Sequence, residues 1–148
     1  MHTNPKPENG APDNETLRTI KDNAEFVIEH LSNALVPFKF GYNAKSLQWV
    51  DAYINRLGSN GRLTDEQTLD AFTFAFGSFL GEAIIHNAGG KWKYIDGILG
   101  VFMPDGNSVY PMDKARKHLI NGPDDSIYAL YETILALPSL SEEIMNGA

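Results

Sequence analysis

Between Leu17 and Leu35 the apolar residues recur at three- and four-residue steps: Leu17, Ile20, Ala24, Val27, Leu31 and Leu35. That spacing draws one stripe along a helix and predicts an amphipathic element stopped by Pro37. An aromatic connection, "PFKFGYN", follows. Asn43 is placed to cap a second helix whose buried face is Leu47, Val50, Ile54 and Leu57. Gly58 reads as its left-handed C-terminal cap, with "GSNG" as a loop. "TDEQ" then carries the capping-box pattern, Thr64 with Gln67 three residues on, and opens a third helix running to about Asn87. Its apolar residues, among them Leu69, Phe72, Phe76, Phe79, Leu80 and Ile84, spread beyond one stripe. A helix apolar most of the way round is a central one, packed on several sides.

After Gly89-Gly90 the period changes. "KWKYI", "ILGVFM" and "SVYPM" are short, aromatic and β-branched, and turn chemistry separates them at Asp96-Gly97 and at Pro104 to Asn107. They predict a three-stranded antiparallel meander with Pro111 at the end or edge of the last strand. "MDKARKHLING" reads as a short helix closed by Asn121-Gly122. Pro123 reads as the first residue of a final helix, with Asp124 and Asp125 in its first turn. Ile127, Leu130, Tyr131, Ile134 and Leu135 form its core face, and Pro138 ends it before a ragged turn. The order is three helices, a small meander and two helices, an α+β arrangement. Residues 1–13, with Pro5, Pro7, Gly10 and Pro12 among polar neighbours, read as a disordered arm before a single globular domain at 14–148.

Composition changes this picture little. A chain of 148 residues that is 43% hydrophobic and 21% charged can build its own core. It has no cysteine, which excludes disulfides and thiol catalysis and fits a reducing, cytoplasmic setting. The N-terminus lacks the apolar run of a secretory signal. Asp70, Glu82 and His86 interrupt the third helix, which argues against a membrane span. The net charge is -7, which disfavours nucleic acid as a partner. No Lys or Arg occurs from Leu63 to Gly90, nor after Lys117. An acidic surface of this kind suits solubility first and a basic protein partner second.

The chemistry-bearing residues concentrate in "GSFLGEAIIHNAGGKW", Gly77 to Trp92. Glu82 and His86 stand at i and i+4, so they share a helix face, a spacing open to a metal or an acid–base pair. A metal would need at least one further ligand. Asp70 lies ~18 Å away along the helix and is no candidate. A Glu–His contact at the rim of the core accounts for the pair without metal or cofactor, and a partly cationic His86 in a last helical turn suits the helix dipole. Gly77 and Gly81 form G-x-x-x-G, which here predicts close approach by another backbone or an aromatic ring ahead of a homodimer face. Gly89-Gly90 turn helix into strand; they form no phosphate loop. Lys114, Arg116, Lys117 and His118, with Lys91 and Lys93, make a basic cluster near Trp92 and Tyr94. Pairing with the chain's own acids is the expected fate of that cluster.

"FLGEAIIHNAGGKW" resembles the pattern G-x-x-x-G-E-x-x-x-x-x-x-G-G-x-W of a group of small, uncharacterised bacterial domains. The similarity extends to "YPMDKARKHLINGPDDSIYALYE", with Pro111, Lys114, Lys117, Gly122, Asp125 and Tyr128 at the matching steps, and covers about Phe40 to Glu132. It implies no known reaction. Some such domains look like immunity-type proteins of bacterial toxin systems, which implies a non-catalytic protein binder. Glu82 and Lys114 are the matching residues with reactive side chains that could meet across the meander, and an ion pair between them would account for both. The candidate functional residues are therefore Glu82, His86, Trp92, Lys114 and Lys117, with another protein as the expected partner. The alternative is a metal-assisted hydrolase using Glu82 and His86.

Overall fold

The structure is a computed structural model that describes residues 8–32, 36–61, 63 and 65–147, with side chains described through residue 137. Its elements follow the expected α+β order. Helix α1 spans Asn14–Leu31, α2 Ala44–Ser59 and α3 Glu66–Ala88. Strands β1 (Lys91–Ile95), β2 (Ile98–Phe102) and β3 (Ser108–Val109) come next, then α4 (Pro111–Asn121) and α5 (Ile127–Gly147).

The first three helices start where side-chain oxygens satisfy free backbone donors. Asp13 Oδ1 accepts from Thr16 N at 2.8 Å, and Asn43 Oδ1 from Ser46 N at 2.9 Å. At α3 the cap is Asp65, which accepts from Thr68 N at 2.7 Å. The expected cap, Thr64, lies outside the described residues. Two helix ends also differ from expectation. α1 stops at Leu31 because Ser32 has left the helical region (φ -77, ψ 127), and Leu35 lies outside the described residues. Gly58 stays inside α2; the positive φ of +67 falls on Gly61.

α3 is the central post. Every residue from Ala75 to Ile84 is buried, glycines and Glu82 included. α3 has the length and apolarity of a membrane-crossing helix, and 56% of its most apolar window is buried inside the fold. α1 lies along one side of it and α4 along another. The two interior glycines explain how close those neighbours come. A Cβ on Gly77 would stand 2.7 Å from Met112 Cα, so the start of α4 rests on the bare backbone of α3. One turn on, Gly81 receives the six-membered ring of the Trp92 indole. The G-x-x-x-G step thus serves packing within the chain, one glycine for a backbone and one for a ring.

The sheet is an antiparallel meander in the order β1-β2-β3, with Trp92 opposite Val101 and Ile95 opposite Ile98. Asp96 (φ 51) and Gly97 (φ 80) make the tight turn between the first two strands. Alternation along β1 sends Trp92 and Tyr94 inward. The outer edge of β1 is occupied. Gly10 and Tyr94 exchange backbone hydrogen bonds of 3.2 and 2.8 Å, and Gly97 N donates to Glu8 O at 2.7 Å. Residues 8–10, expected in a disordered arm, instead cover an edge that would otherwise be open for pairing. Residues 1–7 lie outside the described residues.

The C-terminal part departs from expectation at three prolines. Pro111 is the first residue of α4 and is buried, so it belongs to the helix rather than to β3. Pro123 opens a separate 3-10 turn, Pro123–Asp125, and α5 begins only at Ile127. Pro138 does not end α5, which continues to Gly147. A proline there removes one backbone donor, so the helix passes it with a single hydrogen bond missing.

Candidate functional site

The helix-to-strand corner decides the fate of Glu82. α3 ends at Gly89 (φ 82), Gly90 also takes positive φ (100), and β1 doubles back beside the helix. This return lays Trp92 across Gly81 and aims its indole N–H at the neighbouring residue. Trp92 Nε1 donates to Glu82 Oε2 at 3.0 Å, with both residues buried. A buried carboxylate needs a donor, and a buried indole needs an acceptor; each meets the requirement of the other.

His86 is engaged elsewhere. Its Nδ1 lies 3.3 Å from the backbone carbonyl oxygen of Glu82, one turn earlier in the helix. Its ring packs on Tyr42 with centroids 4.6 Å apart. Asn87 fastens the same loop, donating through Nδ2 to the carbonyls of Tyr42 and Ala83, both at 2.8 Å. Burial, followed by the charges of Glu82 and Glu25, pushes the Tyr42 phenol up to about 12. The Glu82 carboxylate and the His86 imidazole thus have different partners. Among the described residues, no three His, Asp or Glu side chains gather as a metal would require.

Three members of the basic cluster pair with the chain's own acids. Lys114 reaches Asp125 at 3.5 Å, and Lys117 reaches Asp113 at 3.0 Å. Arg116 spans Glu66 at 2.6 Å and Asp70 at 3.0 Å, tying α4 to the first turns of α3. The expected Glu82–Lys114 pair is not formed: Glu82 goes to Trp92 and Lys114 to Asp125. Lys93 stands over the Phe102 ring at 4.6 Å.

Two features escape a reading of the sequence. The first is a polar knot at the junction of α2, α4 and α5. His118 is 1% exposed. Its Nε2 meets Asn55 Oδ1 at 2.7 Å, and its Nδ1 accepts from Ile127 N at 3.2 Å, which assigns the proton to Nε2. Asp51 Oδ2 accepts from Ser126 Oγ and, at 3.0 Å, from Tyr128 N. Ser, His and Asp therefore lie together, but the serine hydroxyl donates to the aspartate and the imidazole acceptor is taken by a backbone N–H. No general base faces the hydroxyl, and the knot acts as a cap for α5. Burial lowers the pKa of His118, with the nearby Asp51 charge acting in the opposite direction. Asp51 and Asn55 lie 63 to 77 positions from their partners in this knot, which no local spacing could reveal.

The second is an aromatic groove of about 230 Å³ between α1, α2 and α3. Phe26 and His30 of α1 form one wall, stacked with centroids 5.3 Å apart. Phe72 and Phe76 of α3 stack at 5.7 Å, and Tyr53 of α2 stands edge-on to Phe76. Arg56 lies 5.9 Å above the Tyr53 ring. Phe26 is 58% exposed on a helix whose other exposed positions are polar. The sequence did carry a signal for it, a large apolar residue outside the Leu17-to-Leu31 stripe. A further cavity of about 350 Å³ lies between the β2–β3 turn and α5, lined by Met103, Pro104, Val109 and Ile134 among others.

No protein-family profile, no curated protein and no solved structure matches this chain.

Proposed function

We propose that the chain is a non-catalytic, cytoplasmic protein-binding module of the immunity-like bacterial kind that its sequence pattern resembles. The supporting observation is the aromatic groove with Phe26 exposed at its edge. Exposing a phenylalanine keeps its apolar area in contact with water, and a partner that covers it recovers that free energy. The hydrolase alternative draws little from the geometry, because the carboxylate it needs is buried against an indole N–H. Of the basic cluster, Lys114, Arg116 and Lys117 are matched with acids on the same molecule.

Affinity capture from native lysate, read by mass spectrometry against an acidic protein of equal charge, tests the proposal. A protein enriched on this chain alone supports it. Absence of any such enrichment, combined with hydrolytic turnover that a Glu82→Gln substitution abolishes, would replace it with the enzymatic reading. Light scattering after size exclusion separates a foreign partner from a homodimer.

A further inference from the structure

The groove's surroundings specify its occupant more narrowly than "a protein". Four observations bear on this. Its walls are apolar and aromatic, and its volume suits one or two inserted side chains. α3, which supplies Phe72, Ala75 and Phe76, carries no Lys or Arg anywhere along its length. On α1, Asp22 and Glu29 stand four residues before and three after Phe26, on its own helix face, and Glu25 is adjacent. All three acids are exposed, and none forms a salt bridge with a described residue. Of the cations, Arg56 of α2 lies over Tyr53, and on α1 Arg18 and Lys21 stand four residues before Asp22 and Glu25, which leaves Glu29 as the acid with no basic residue four positions before it.

An apolar slot with acids along one rim complements a cationic amphipathic segment. A helix presenting apolar side chains at i, i+3 or i+4, and i+7, with Lys or Arg on its flanks, would bury the first set and pair the second. We infer that this groove docks such a basic amphipathic segment of a partner protein, with Phe26 as the apolar anchor. The inference rests on the protein-binding reading and adds the location and the chemistry of the partner. A second copy of this chain is the weaker candidate. Two copies would set the same acids against each other, since a two-fold contact presents one patch to itself.

Two helical probe peptides of identical apolar spacing test the inference, one flanked by lysines and one by glutamates. Binding is followed by calorimetry at low and at physiological salt. The lysine peptide is expected to bind the wild-type chain and the glutamate peptide to bind about tenfold more weakly or worse. Phe26→Asp is the decisive variant, because it adds negative charge while removing the anchor. Loss of lysine-peptide binding in Phe26→Asp supports an apolar slot; unchanged or tighter binding overturns it in favour of bare charge attraction. Phe26→Ser serves the same purpose should the aspartate unfold α1, and circular dichroism checks both. Asp22→Asn with Glu29→Gln should weaken the lysine peptide several-fold and flatten its salt dependence. Equal affinity for both peptides, or no binding of either, overturns the inference. So does a concentration-dependent dimer that Phe26→Asp abolishes, which would make the occupant a second copy. A lysate partner captured equally by wild type and Phe26→Asp refutes the groove while leaving the protein-binding reading intact.

Discussion

Replacing Gly81 with alanine sets helix propensity against packing, and the structure says which wins. In an unpacked helix, Gly→Ala stabilises by about 1 kcal/mol. Here the new Cβ would stand 2.2 Å from both Cη2 and Cζ2 of Trp92 and 3.3 Å from Pro111 Cγ. Relief requires moving a buried indole by roughly an ångström. The indole has little freedom to move, because its other end is held by the Glu82 carboxylate and β1 carries its backbone. Overpacking of a rigid core typically costs about 1–3 kcal/mol, and a clash between carbon atoms at this distance belongs at the upper end. Against the propensity gain, a net loss of at least about 1–2 kcal/mol is expected. For a domain of this size that lowers Tm by several degrees. Gly58→Ala is the internal control. It is also helical, its Cβ would stand 3.4 Å from the Leu119 carbonyl oxygen, and it should be neutral or gain up to about 1 kcal/mol. Urea unfolding followed by circular dichroism measures both. A Gly81→Ala protein as stable as Gly58→Ala would refute the placement of Trp92 on Gly81. A double-mutant cycle with Trp92→Phe, which shortens the ring, should recover part of the loss.

Three further outcomes follow from buried polar groups. Glu82→Ala leaves the Trp92 N–H buried without an acceptor and should cost about 2–3 kcal/mol, whereas Glu82→Gln keeps an oxygen there and should cost about 1 kcal/mol; near-ultraviolet circular dichroism reports the tryptophan environment, and equal costs would refute the hydrogen bond. Ser78 is fully buried and its hydroxyl has no partner among the described residues, so Ser78→Ala should be neutral or stabilising by up to about 1 kcal/mol in urea unfolding, and a clear loss would refute an unpartnered hydroxyl. His118 titrates below its unfolded value of about 6.5, so the unfolded chain binds more protons in the interval between the two values. Its contribution to stability is therefore complete above about pH 6.5 and declines as pH falls from there toward the folded pKa; in His118→Gln that segment of the pH–stability curve should flatten.

The helices and the meander were legible because each buries one face against its neighbours, and burial imprints a period on the sequence. Asn43 and Asp96-Gly97 were legible for a different reason: caps and tight turns are decided within four residues. The misreadings lie where two local rules compete. Thr64 and Asp65 are both good caps, and the choice of Asp65 depends on where α3 begins. Gly58 and Gly61 could each end α2, and Gly58 stays helical with Leu119 packed close above it. Pro138 forbids one hydrogen bond, not a helix. The polar knot around His118 was invisible because its members come from α2, α4 and the start of α5, and only the packed chain brings them together.

Two residues broke the binary pattern, and they resolve in opposite directions. Glu82 is an acid in the most apolar helix of the chain, and that made it the foremost candidate for chemistry. The fold supplies a donor for its Oε2 ten residues later, through a turn built from two glycines. Phe26 is an aromatic on a polar helix face, and it attracts less notice because an exposed apolar residue is ordinary taken singly. It is not single here. His30, Tyr53, Phe72 and Phe76 extend it into a groove that three helices hold in shape. A buried charge has to find its complement inside the molecule or the fold fails, so its anomaly is repaired by folding itself. An exposed aromatic cluster carries no such obligation, and its complement can lie on another molecule. In this protein, function is therefore better sought at the aromatic cluster the fold left uncovered than at the residue that looked reactive.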